Sequence, residues 1–502
     1  MPILPSPQSR SLADGTMRPM SDRAKQYDLI VLGAGATGLG AAATARTAGR
    51  TVALVEPARP GGDCTHYGCV PSKTLIESAR RVAAARDGTR YGFSTDVRVD
   101  FPAVMRRVAA VVAEVEKDES PALLERQGID LVVGAGRFTA AGTVLAGGRE
   151  LSAQRVVVAV GAAPTVPPLP GLNRVDYLTN ETVFSLTEQP RHLVVLGGGP
   201  IGCELAQAFA RLGSAVTLVH RDERILPRDE PEASRLVAAG LSRDGVTLVL
   251  GRDVTSVAEG PELTLADGTT VSGSHLLVAV GRTPRTGDLD LAAAGVRIGA
   301  GERIVVDQHL ATTAAGVFAA GDCASPLQFT HVGYDQGRIA AGNAFAKSGR
   351  PGVLGGRRSW DADAIPWVTF TEPEVAHVGL TEAQAYEQYG ERARVSYLLD
   401  STSDRARCAG ETRGFVKVIA ATPGGLLSAK ALQKIIGMTV VGPVAGELIT
   451  QGVLAMSSGM LAGRIAQSVH AYPTWSLSVR LAVAQLFGEF AGRGSRAARP
   501  PS

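Results

Sequence analysis

The stretch YDLIVLGAGATG at residues 27–38 decides how the first part of the chain folds. Its apolar half suits a buried strand, and its second half suits a tight, glycine-rich turn. In such a turn Gly33 allows the sharp change of direction, Gly35 lets the backbone approach a phosphate, and Gly38 lets the next helix pack against the strand. We therefore expect a strand that leads through this turn into a helix.

The residues after this turn complete the pattern of a dinucleotide-binding unit. An alanine-rich helical segment is followed by a second apolar strand at residues 51–56, which ends in Glu56. The helix N-terminus would face a pyrophosphate, and the carboxylate would accept hydrogen bonds from ribose hydroxyls. The alternative is a glycine-rich turn with no ligand, which the flanking strands, the helix and the acid disfavour.

The same pattern recurs in the middle of the chain. A strand at residues 192–196 leads into a second glycine loop at residues 197–202, and a helix and another strand at 215–219 follow. The two repeats predict two dinucleotide-binding units in one chain.

The second unit lacks the acidic residue that ends the first. His220 stands at that position, and Arg221 and Arg224 follow it. Basic side chains there can hold a ribose 2′-phosphate, so the sequence favours NADPH, with NADH as the second cofactor to consider. The alternative is that these residues are solvated surface charges.

The rest of the chain indicates how the two units are connected. Three more apolar segments occur at residues 155–161, 275–280 and 316–320. From about Arg357 proline, threonine and aromatic residues become more frequent, and alternating strands precede a helical region. We expect an α/β protein with two Rossmann-like nucleotide-binding domains and a C-terminal α+β domain.

The bulk composition fits a multidomain globular protein. The chain has 502 residues, of which 45% are hydrophobic and 20% charged, and its net charge is +3. Such a length predicts several domains, and so small a net charge gives no reason to expect nucleic acid as a partner. No apolar stretch reaches the roughly 18 residues that a membrane-spanning helix needs, so no membrane association is expected.

Both ends of the chain differ from the rest in composition. Residues 1–25 are polar and lack the apolar core of a secretory signal, so we expect a disordered extension and a cytoplasmic protein. Residues 491–502 carry three arginines and two prolines, and we expect a flexible tail there.

Two of the five cysteines, Cys64 and Cys69, lie close together after the first unit. A thiol pair at this spacing can cycle between dithiol and disulfide and so can carry two electrons. The alternatives are an inert buried pair or a zinc site with His66. Zinc needs more ligands than this segment offers, so no metal site is expected. The other cysteines, which stand alone and are expected only to pack, are Cys203, Cys323 and Cys408.

The segment GGDCTHYGCVPSK at residues 61–73 resembles the redox centre of the flavoprotein disulfide reductases, the class I pyridine nucleotide-disulfide oxidoreductases. That family includes dihydrolipoamide dehydrogenase, glutathione reductase and mercuric reductase. The resemblance extends over about residues 26–490 and includes dimerisation motifs at residues 365–379 and 441–447. It implies a glutathione reductase-like fold and a homodimer.

The resemblance also implies domain boundaries and two cofactors. FAD would bind a discontinuous domain of residues 26–185 and 286–355, and NAD(P)H a domain of residues 186–285, while residues 356–490 would form the dimerisation domain. The residues implied for FAD are Gly33, Gly35, Ala36, Thr37, Gly38, Glu56, Gly62, Lys73, Gly134, Ala135, Gly161, Arg282 and Asp322. Those implied for NAD(P)H are Gly197, Gly199, Ile201, Gly202, Glu204, His220, Arg221, Arg224 and Gly281.

Four residues receive chemical roles from the resemblance. Cys64 would be the interchange thiol that attacks the acceptor, and Cys69 would be the charge-transfer thiolate nearer the flavin. Lys73 would lie near the flavin N5, with Glu204 as its ion-pair partner. A buried pair of this kind would offset the charge of the reduced flavin.

The C-terminal segment HAYPTWSL at residues 470–477 departs from the disulfide-specific members, which carry His-Pro and a later Glu. Tyr472 takes the place of that histidine and Leu477 the place of the glutamate, while His470 lies two residues earlier. Tyrosine is a much weaker acid than an imidazolium at neutral pH. Proton transfer to an acceptor would therefore fall to Tyr472 or His470.

The overall pattern is most similar to the mercuric reductase-like members, although those usually add a C-terminal cysteine pair and this chain has no cysteine after Cys408. We expect electrons to pass from NAD(P)H through FAD to the Cys64–Cys69 disulfide and on to a metal ion such as Hg(II) or a small disulfide. One alternative is a quinone or dye reductase that works from the flavin, and another is a non-catalytic redox-sensing flavoprotein. A flavin monooxygenase would share the glycine loops but would not need the cysteine pair.

Overall fold

The computed structural model describes residues 25–347, 355–422 and 432–500. Nearly all of the expected N-terminal extension, residues 1–24, lies outside the described residues. The predicted fold class is confirmed, because two units with parallel sheets precede a C-terminal unit with an antiparallel sheet.

The first unit contains the elements up to residue 164. In chain order they are β1 (Lys25–Leu32), α1 (Ala36–Thr47), β2 (Val52–Glu56), α2 (Gly62–His66), α3 (Cys69–Arg86), α4 (Phe101–Val115), α5 (Pro121–Arg126), β3 (Ile129–Val133), β4 (Gly136–Ala140), β5 (Thr143–Ala146), β6 (Arg149–Val158) and β7 (Ala162–Pro164). Strands β3, β2, β1 and β6 pair in parallel in that order, and β5 and β4 continue the sheet in antiparallel pairing.

The second unit has a five-stranded parallel sheet. Its elements are β8 (Tyr177–Leu178), β9 (His192–Leu196), α6 (Pro200–Leu212), β10 (Ala215–His220), α7 (Pro231–Arg243), β11 (Val246–Leu250), β12 (Val254–Ala258), β13 (Glu262–Leu265), β14 (Thr270–Ser272) and β15 (His275–Val278). The order of the parallel sheet is β11-β10-β9-β15-β8, and β12, β13 and β14 form a separate antiparallel sheet.

The chain then returns to the first unit. Strand β16 (Arg282–Pro284) pairs with β7, β17 (Val317–Ala319) adds a parallel strand beside β6, and α8 (Thr330–Ala344) packs against α1. This return places residues far apart in sequence beside the first glycine turn.

The C-terminal unit is a six-stranded sheet with helices. Its elements are β18 (Pro366–Thr369), β19 (Glu374–Gly379), α9 (Glu382–Tyr389), β20 (Arg394–Leu399), α10 (Asp404–Ala409), β21 (Phe415–Ala421), β22 (Lys434–Gly442), α11 (Ala445–Leu448), α12 (Thr450–Ser457), α13 (Ala462–Gln467), α14 (Trp475–Ala484) and β23 (Arg496–Ala497). The order is β18-β19-β22-β21-β20-β23 with antiparallel pairing.

Two features hold the last part of the chain in place. Strand β23 pairs with β20, and the Arg496 guanidinium forms an ion pair with Glu382 on α9. Backbone pairing and this ion pair offset the entropy of ordering Arg496 and Ala497, and the flexible tail expected at residues 491–502 stays a prediction.

A buried charge cluster joins the second unit to the C-terminal sheet. Lys417 on β21 has 1% of its side chain exposed, and its Nζ lies 3.0 Å from Glu230 and 3.0 Å from Glu382. Glu232 at the start of α7 lies 3.1 Å away. Burial of these charges is tolerated because each one is paired.

The apolar runs of β1 and β2 are buried on both faces, as the sequence predicts. Leu29, Ile30 and Val31 on β1 are each 0% exposed. Burial of such a side chain stabilises the fold by about 1.5–3 kcal/mol. In the part of the chain that the structure describes, no helix combines the length and the apolar character that crossing a bilayer requires.

Candidate active site

The first glycine turn and the cysteine segment lie side by side. Gly61 donates its N–H to the Ala34 carbonyl at 2.8 Å, and a Cβ built on Gly62 would come within 2.6 Å of the Gly35 Cα. This close approach and a φ of +64° require glycine at position 62, whereas a Cβ on Gly35 would meet the Gly62 Cα only at 3.7 Å. The structure therefore brings together three of the residues that the sequence assigns to FAD: Gly33, Gly35 and Gly62.

Gly33 has the backbone that the turn needs. Its φ is +99°, and a Cβ there would come within 2.4 Å of the Ala159 carbonyl oxygen. A left-handed φ and this lack of space both exclude a side chain. The tight turn leaves the N-terminus of α1 open to a ligand, which is the geometry that a pyrophosphate uses.

The two cysteines occupy adjacent helices. Cys64 lies in α2 and is partly exposed, whereas Cys69 is the first residue of α3 and is exposed. Both are free thiols in this structure. A hydrogen bond from the Cys64 thiol to the Cys69 sulfur connects them. The pair is therefore placed to close a disulfide between two helices.

The surroundings divide the charge unequally between the two sulfurs. The hydrogen bond from Cys64 lowers the pKa of Cys69 to about 6, and the Thr330 hydroxyl and the Lys73 ammonium act in the same direction against desolvation. The Thr330 Oγ1 lies 3.4 Å from the Cys69 Sγ. The same hydrogen bond and burial raise the pKa of Cys64. The reduced pair is thus a thiolate at Cys69 and a thiol at Cys64.

Lys73 and Glu204 form the pair that the resemblance implies. The Lys73 Nζ lies 2.7 Å from Glu204 Oε2, and it also stands 4.6 Å from the centroid of the Phe370 ring. Glu204 is 5% exposed, and its other oxygen accepts from the Phe370 N–H at 2.8 Å. Because Glu204 lies on α6 and Lys73 on α3, this pair joins the second unit to the helix that begins at Cys69.

Asp322 lies in a network with the cysteine segment. Its Oδ2 is 2.8 Å from one terminal nitrogen of Arg282, and the other terminal nitrogen is 2.8 Å from Asp63 Oδ2. Burial raises the pKa of the Asp322 carboxyl, and Arg282 opposes that effect. Thr37 on α1 is adjacent, since a Cβ on Gly321 would come within 2.3 Å of its hydroxyl.

Glu56 and the loop at Gly134 and Ala135 meet at the end of β2. Glu56 Oε2 accepts from the Ala34 N–H at 2.8 Å, and its backbone carbonyl accepts from the Gly134 N–H at 2.9 Å. Gly161 lies farther along β6–β7 with φ +69°. The first glycine turn offers backbone N–H donors, and Glu56 and Asp322 offer carboxylate acceptors. These are the kinds of group that FAD requires.

The second glycine loop repeats the first. Gly197 has φ +120°, and a Cβ on Gly202 would come within 1.9 Å of its carbonyl oxygen. Gly199 has open space beside it, and Ile201 is exposed at the start of α6. Gly281 follows β15 with φ +144°. The loop therefore fits a second nucleotide.

The three basic residues after β10 differ in their surroundings. His220 Nδ1 accepts from the Gly198 N–H at 3.1 Å, and burial lowers the pKa of this imidazole although Asp222 opposes that effect. Arg224 donates to the carbonyls of Pro227 and Asp229. The His220 ring is therefore neutral, and Arg221 alone of the three directs an exposed cation outwards.

The C-terminal candidates form contacts away from the two sulfurs. His470 interacts with Gln451 at 3.1 Å and Ser468 at 3.3 Å, and the exposed Tyr472 donates to Asp404 at 3.0 Å. The Asp404 carboxylate raises the pKa of Tyr472. Among the described residues of one chain, these hydrogen bonds do not lead to Cys64 or Cys69.

The remaining three cysteines differ in exposure, since two of them are buried and one is exposed. Cys203 and Cys323 are each 0% exposed. Burial raises the pKa of both thiols, that of Cys323 to about 12. Cys408 is exposed on α10.

Sequence reasoning missed two residues around the sulfurs, Thr330 and Asn180, and it assigned Arg282 to FAD without its contact with Asp63. Thr330 hydrogen-bonds to Cys69, while Arg282 and Asn180 both bind Asp63, the residue before Cys64. Thr330 is 261 positions from Cys69, so no spacing rule connects them. Asp63 itself was visible as a charged residue inside the cysteine segment, which is the one signal available from sequence.

Two family models match the chain. The model of the pyridine nucleotide-disulphide oxidoreductases matches residues 27–337, and the model of their dimerisation domain matches residues 365–483. Together they span both nucleotide-binding units and most of the C-terminal unit.

Curated proteins of similar sequence have two different names. A mercuric reductase of Streptomyces lividans is 36% identical over 475 residues, covering 92% of this chain and 96% of that protein. A mercuric reductase of Bacillus cereus is 34% identical over 464 residues, covering 91% of this chain and 71% of that protein. A dihydrolipoyl dehydrogenase of Chlamydia muridarum is 32% identical over 469 residues, covering 91% and 97%.

Solved structures share the whole fold. LpdA from Mycobacterium tuberculosis has a TM-score of 0.81 at 29% identity, covering 93% of this chain and 100% of that one. The Cu(II) complex of the HOCl-induced flavoprotein disulfide reductase RclA from Escherichia coli has a TM-score of 0.79 at 28% identity, covering 92% and 99%. The protein therefore belongs to the pyridine nucleotide-disulphide oxidoreductase family.

Proposed function

We propose that this protein is a homodimeric enzyme that passes electrons from NAD(P)H, through FAD, to the Cys64–Cys69 disulfide and on to an external acceptor. The family is FAD-dependent and uses NAD(P)H. The observation that carries the proposal is the thiol pair itself, since Lys73 helps to lower the pKa of Cys69, and Gly62 of the same segment lies against the first glycine turn. An electron-carrying disulfide needs this combination of a thiolate, a nearby thiol and a neighbouring cation.

The reaction balances as a two-electron transfer. NAD(P)H supplies a hydride, and FAD, when bound, would supply the two-electron chemistry that links it to the disulfide. The electron pair breaks the sulfur–sulfur bond, Cys69 keeps one negative charge, and Cys64 takes up the proton of the hydride. The acceptor finally removes the electron pair, Cys64 releases its proton, and the disulfide closes again.

The residues of this chain hold the charge that the transfer leaves on sulfur. The Thr330 hydroxyl and the Cys64 thiol donate to the Cys69 thiolate, and Lys73 contributes a positive charge. Glu204 holds Lys73 in place from the second unit. Cys64, the thiol of the pair, then takes the interchange role that the resemblance implies.

A metal ion such as Hg(II) fits the site better than a small disulfide. Reduction of a disulfide releases a thiolate that must be protonated, which an imidazole does efficiently. Tyr472 binds Asp404 and is a weak acid, whereas reduction of Hg(II) to Hg(0) consumes two electrons and no proton. The relatives named mercuric reductase support the same acceptor.

For the nucleotide, we propose NADPH with NADH as a weaker alternative. Arg221 is the cation available to a 2′-phosphate, because His220 is neutral and Arg224 binds backbone carbonyls. Arg221→Ala should raise the KM for NADPH and leave the KM for NADH nearly unchanged. Equal increases in both values would contradict this assignment.

The proposal is tested by anaerobic reduction of the purified protein with NADPH. A long-wavelength absorption band between a thiolate and the flavin should appear in the parent protein and be absent in Cys69→Ser. A parent protein that shows no such band would contradict the role of the cysteines.

An acceptor screen then separates the alternatives. Mercuric ion, oxidised glutathione, lipoamide, mycothiol disulfide and a quinone are each offered with NADPH or NADH. Cys64→Ser should abolish the turnover of mercuric ion. Unchanged turnover of a quinone in that variant, with no turnover of mercuric ion in the parent, would favour a quinone or dye reductase. A redox-sensing protein would turn over none of them.

A further inference from the structure

Asp63, the residue before Cys64, has both carboxylate oxygens occupied. Its Oδ2 accepts from Arg282 at 2.8 Å, and its Oδ1 accepts from the Asn180 side chain at 3.2 Å. Asn180 is 8% exposed and also lies 3.5 Å from the Tyr67 carbonyl. Two separate chain segments thus hold α2, the short helix that contains Cys64.

Arg282 connects this turn to Asp322. Its two terminal nitrogens bind the two carboxylates, each at 2.8 Å, and its side chain is 17% exposed. Asp322 is 14% exposed. Arg282 binds both carboxylates in a site that is largely shielded from water. A change in the charge of one acid therefore moves Arg282, and through it affects the position of the other acid.

We propose that Asp63 is a positioning residue that fixes Cys64 and, through Arg282, holds Asp322 in the orientation that FAD requires. This inference rests on the proposed function, in which FAD lies against Asp322. Asp63 is not part of the first glycine turn. The inference predicts that a substitution at Asp63 has two effects at once: it weakens FAD binding, and it makes the segment around Cys64 more mobile.

The geometry explains why the two effects are linked. The Asp63 carbonyl accepts from the Tyr67 N–H at 2.8 Å, so the carboxylate and backbone of the same residue anchor both ends of α2. In Asp63→Asn one carboxylate oxygen becomes an NH₂ group that cannot accept from Arg282, so Arg282 pairs with Asp322 alone, while Asn180 can still donate to the remaining oxygen. The segment of Cys64 would then be held at fewer points.

The test uses the intact holoenzyme and the variants Asp63→Asn, Asp63→Glu and Arg282→Gln. Two rates are measured: the release of FAD after dilution, and the alkylation of Cys64 by iodoacetamide in dithiothreitol-reduced protein, located by mass spectrometry. Glu181→Gln is the matched control, because Glu181 forms an ion pair with Arg285 beside Asn180 but does not bind the cysteine segment.

Asp63→Asn should raise both rates about tenfold, the ratio that 1.4 kcal/mol produces, whereas the control should stay within about twofold of the parent. Asp63→Glu keeps the charge and should recover part of the difference. Combining Asp63→Asn with Arg282→Gln should add little to the effect of Arg282→Gln alone, because both changes break the same link.

Parent-like rates in Asp63→Asn, or fully additive effects in the double variant, would overturn the inference. A parent protein that purifies without FAD would instead contradict the proposed function. In that case the alkylation of Cys64 still decides whether Asp63 positions this residue, so the two failures are distinguishable.

Discussion

Replacement of Thr330 by valine should raise the pKa of Cys69 and leave the fold intact. The Thr330 hydroxyl lies 3.4 Å from the Cys69 sulfur at the start of α8 and is one of the groups that lower the pKa of that thiol. Valine has the shape of threonine but cannot donate a hydrogen bond. The exposed position of Thr330 means that little packing is lost.

The size of the effect follows from the hydrogen bond. A hydrogen bond to a charged group contributes about 1.5–3 kcal/mol. We take about 1 kcal/mol, since Cys69 is exposed and water screens part of the interaction. One pKa unit corresponds to about 1.36 kcal/mol, so the pKa of Cys69 should rise by about 0.7.

The assay follows the rate of alkylation of Cys69 as a function of pH. Only the thiolate reacts, so the rate rises with pH through the pKa of Cys69 and levels off above it. All variants carry Cys64→Ser, which leaves one thiol in the pair, and mass spectrometry separates Cys69 from the exposed Cys408. Thr330→Ser keeps the hydroxyl and is the matched control.

The midpoint of the valine variant should lie above those of the serine variant and the threonine background. An unchanged midpoint with valine would refute the role of the Thr330 hydroxyl. An equal upward shift with serine would attribute the effect to the altered shape of the side chain rather than to its hydrogen bond.

Three further variants have expected outcomes. Lys417→Met leaves the buried Glu230 carboxylate without its paired cation and should lower the free energy of unfolding by about 3–5 kcal/mol, measured by urea denaturation. The pKa of Glu382 is lowered to about 2, so its ion pairs stabilise the fold above pH 4.5 and lose that effect as the pH falls towards 2. The loss of unfolding free energy caused by Lys417→Met should therefore become smaller over the same pH range. Gly33→Ala should purify with little FAD, seen as a low ratio of flavin to protein absorbance, because its φ and its surroundings exclude a Cβ. Tyr472→His should not create strong turnover of a small disulfide in an NADPH oxidation assay, since Leu477 cannot orient the new imidazole.

Local sequence signals predicted the nucleotide-binding units well. The two glycine loops could be predicted from the sequence alone. At Gly33 and Gly197 a left-handed φ and a lack of space for a Cβ require glycine. The Lys73–Glu204 pair was implied by the resemblance and is formed in the structure. The glycine loops are encoded within short segments, whereas the Lys73–Glu204 pair, 131 positions apart, was available only from the resemblance.

Features that depend on tertiary contacts were not predictable in this way. Thr330 and Asp63 gain their importance from partners that the fold brings near, and the order of the segment around Arg496 depends on β20 and Glu382. His220 shows the same limit, because its charge is set by burial and by the Gly198 N–H rather than by its place after β10.

The central claim is that Cys64 and Cys69 carry the electrons, and counting thiols tests it most directly. The chain has five cysteines, so the air-oxidised protein with one disulfide should show three thiols after denaturation. Anaerobic treatment with NADPH before denaturation should raise the count to five, with the two new thiols at Cys64 and Cys69. A count that NADPH leaves unchanged in protein that retains its FAD would contradict the account.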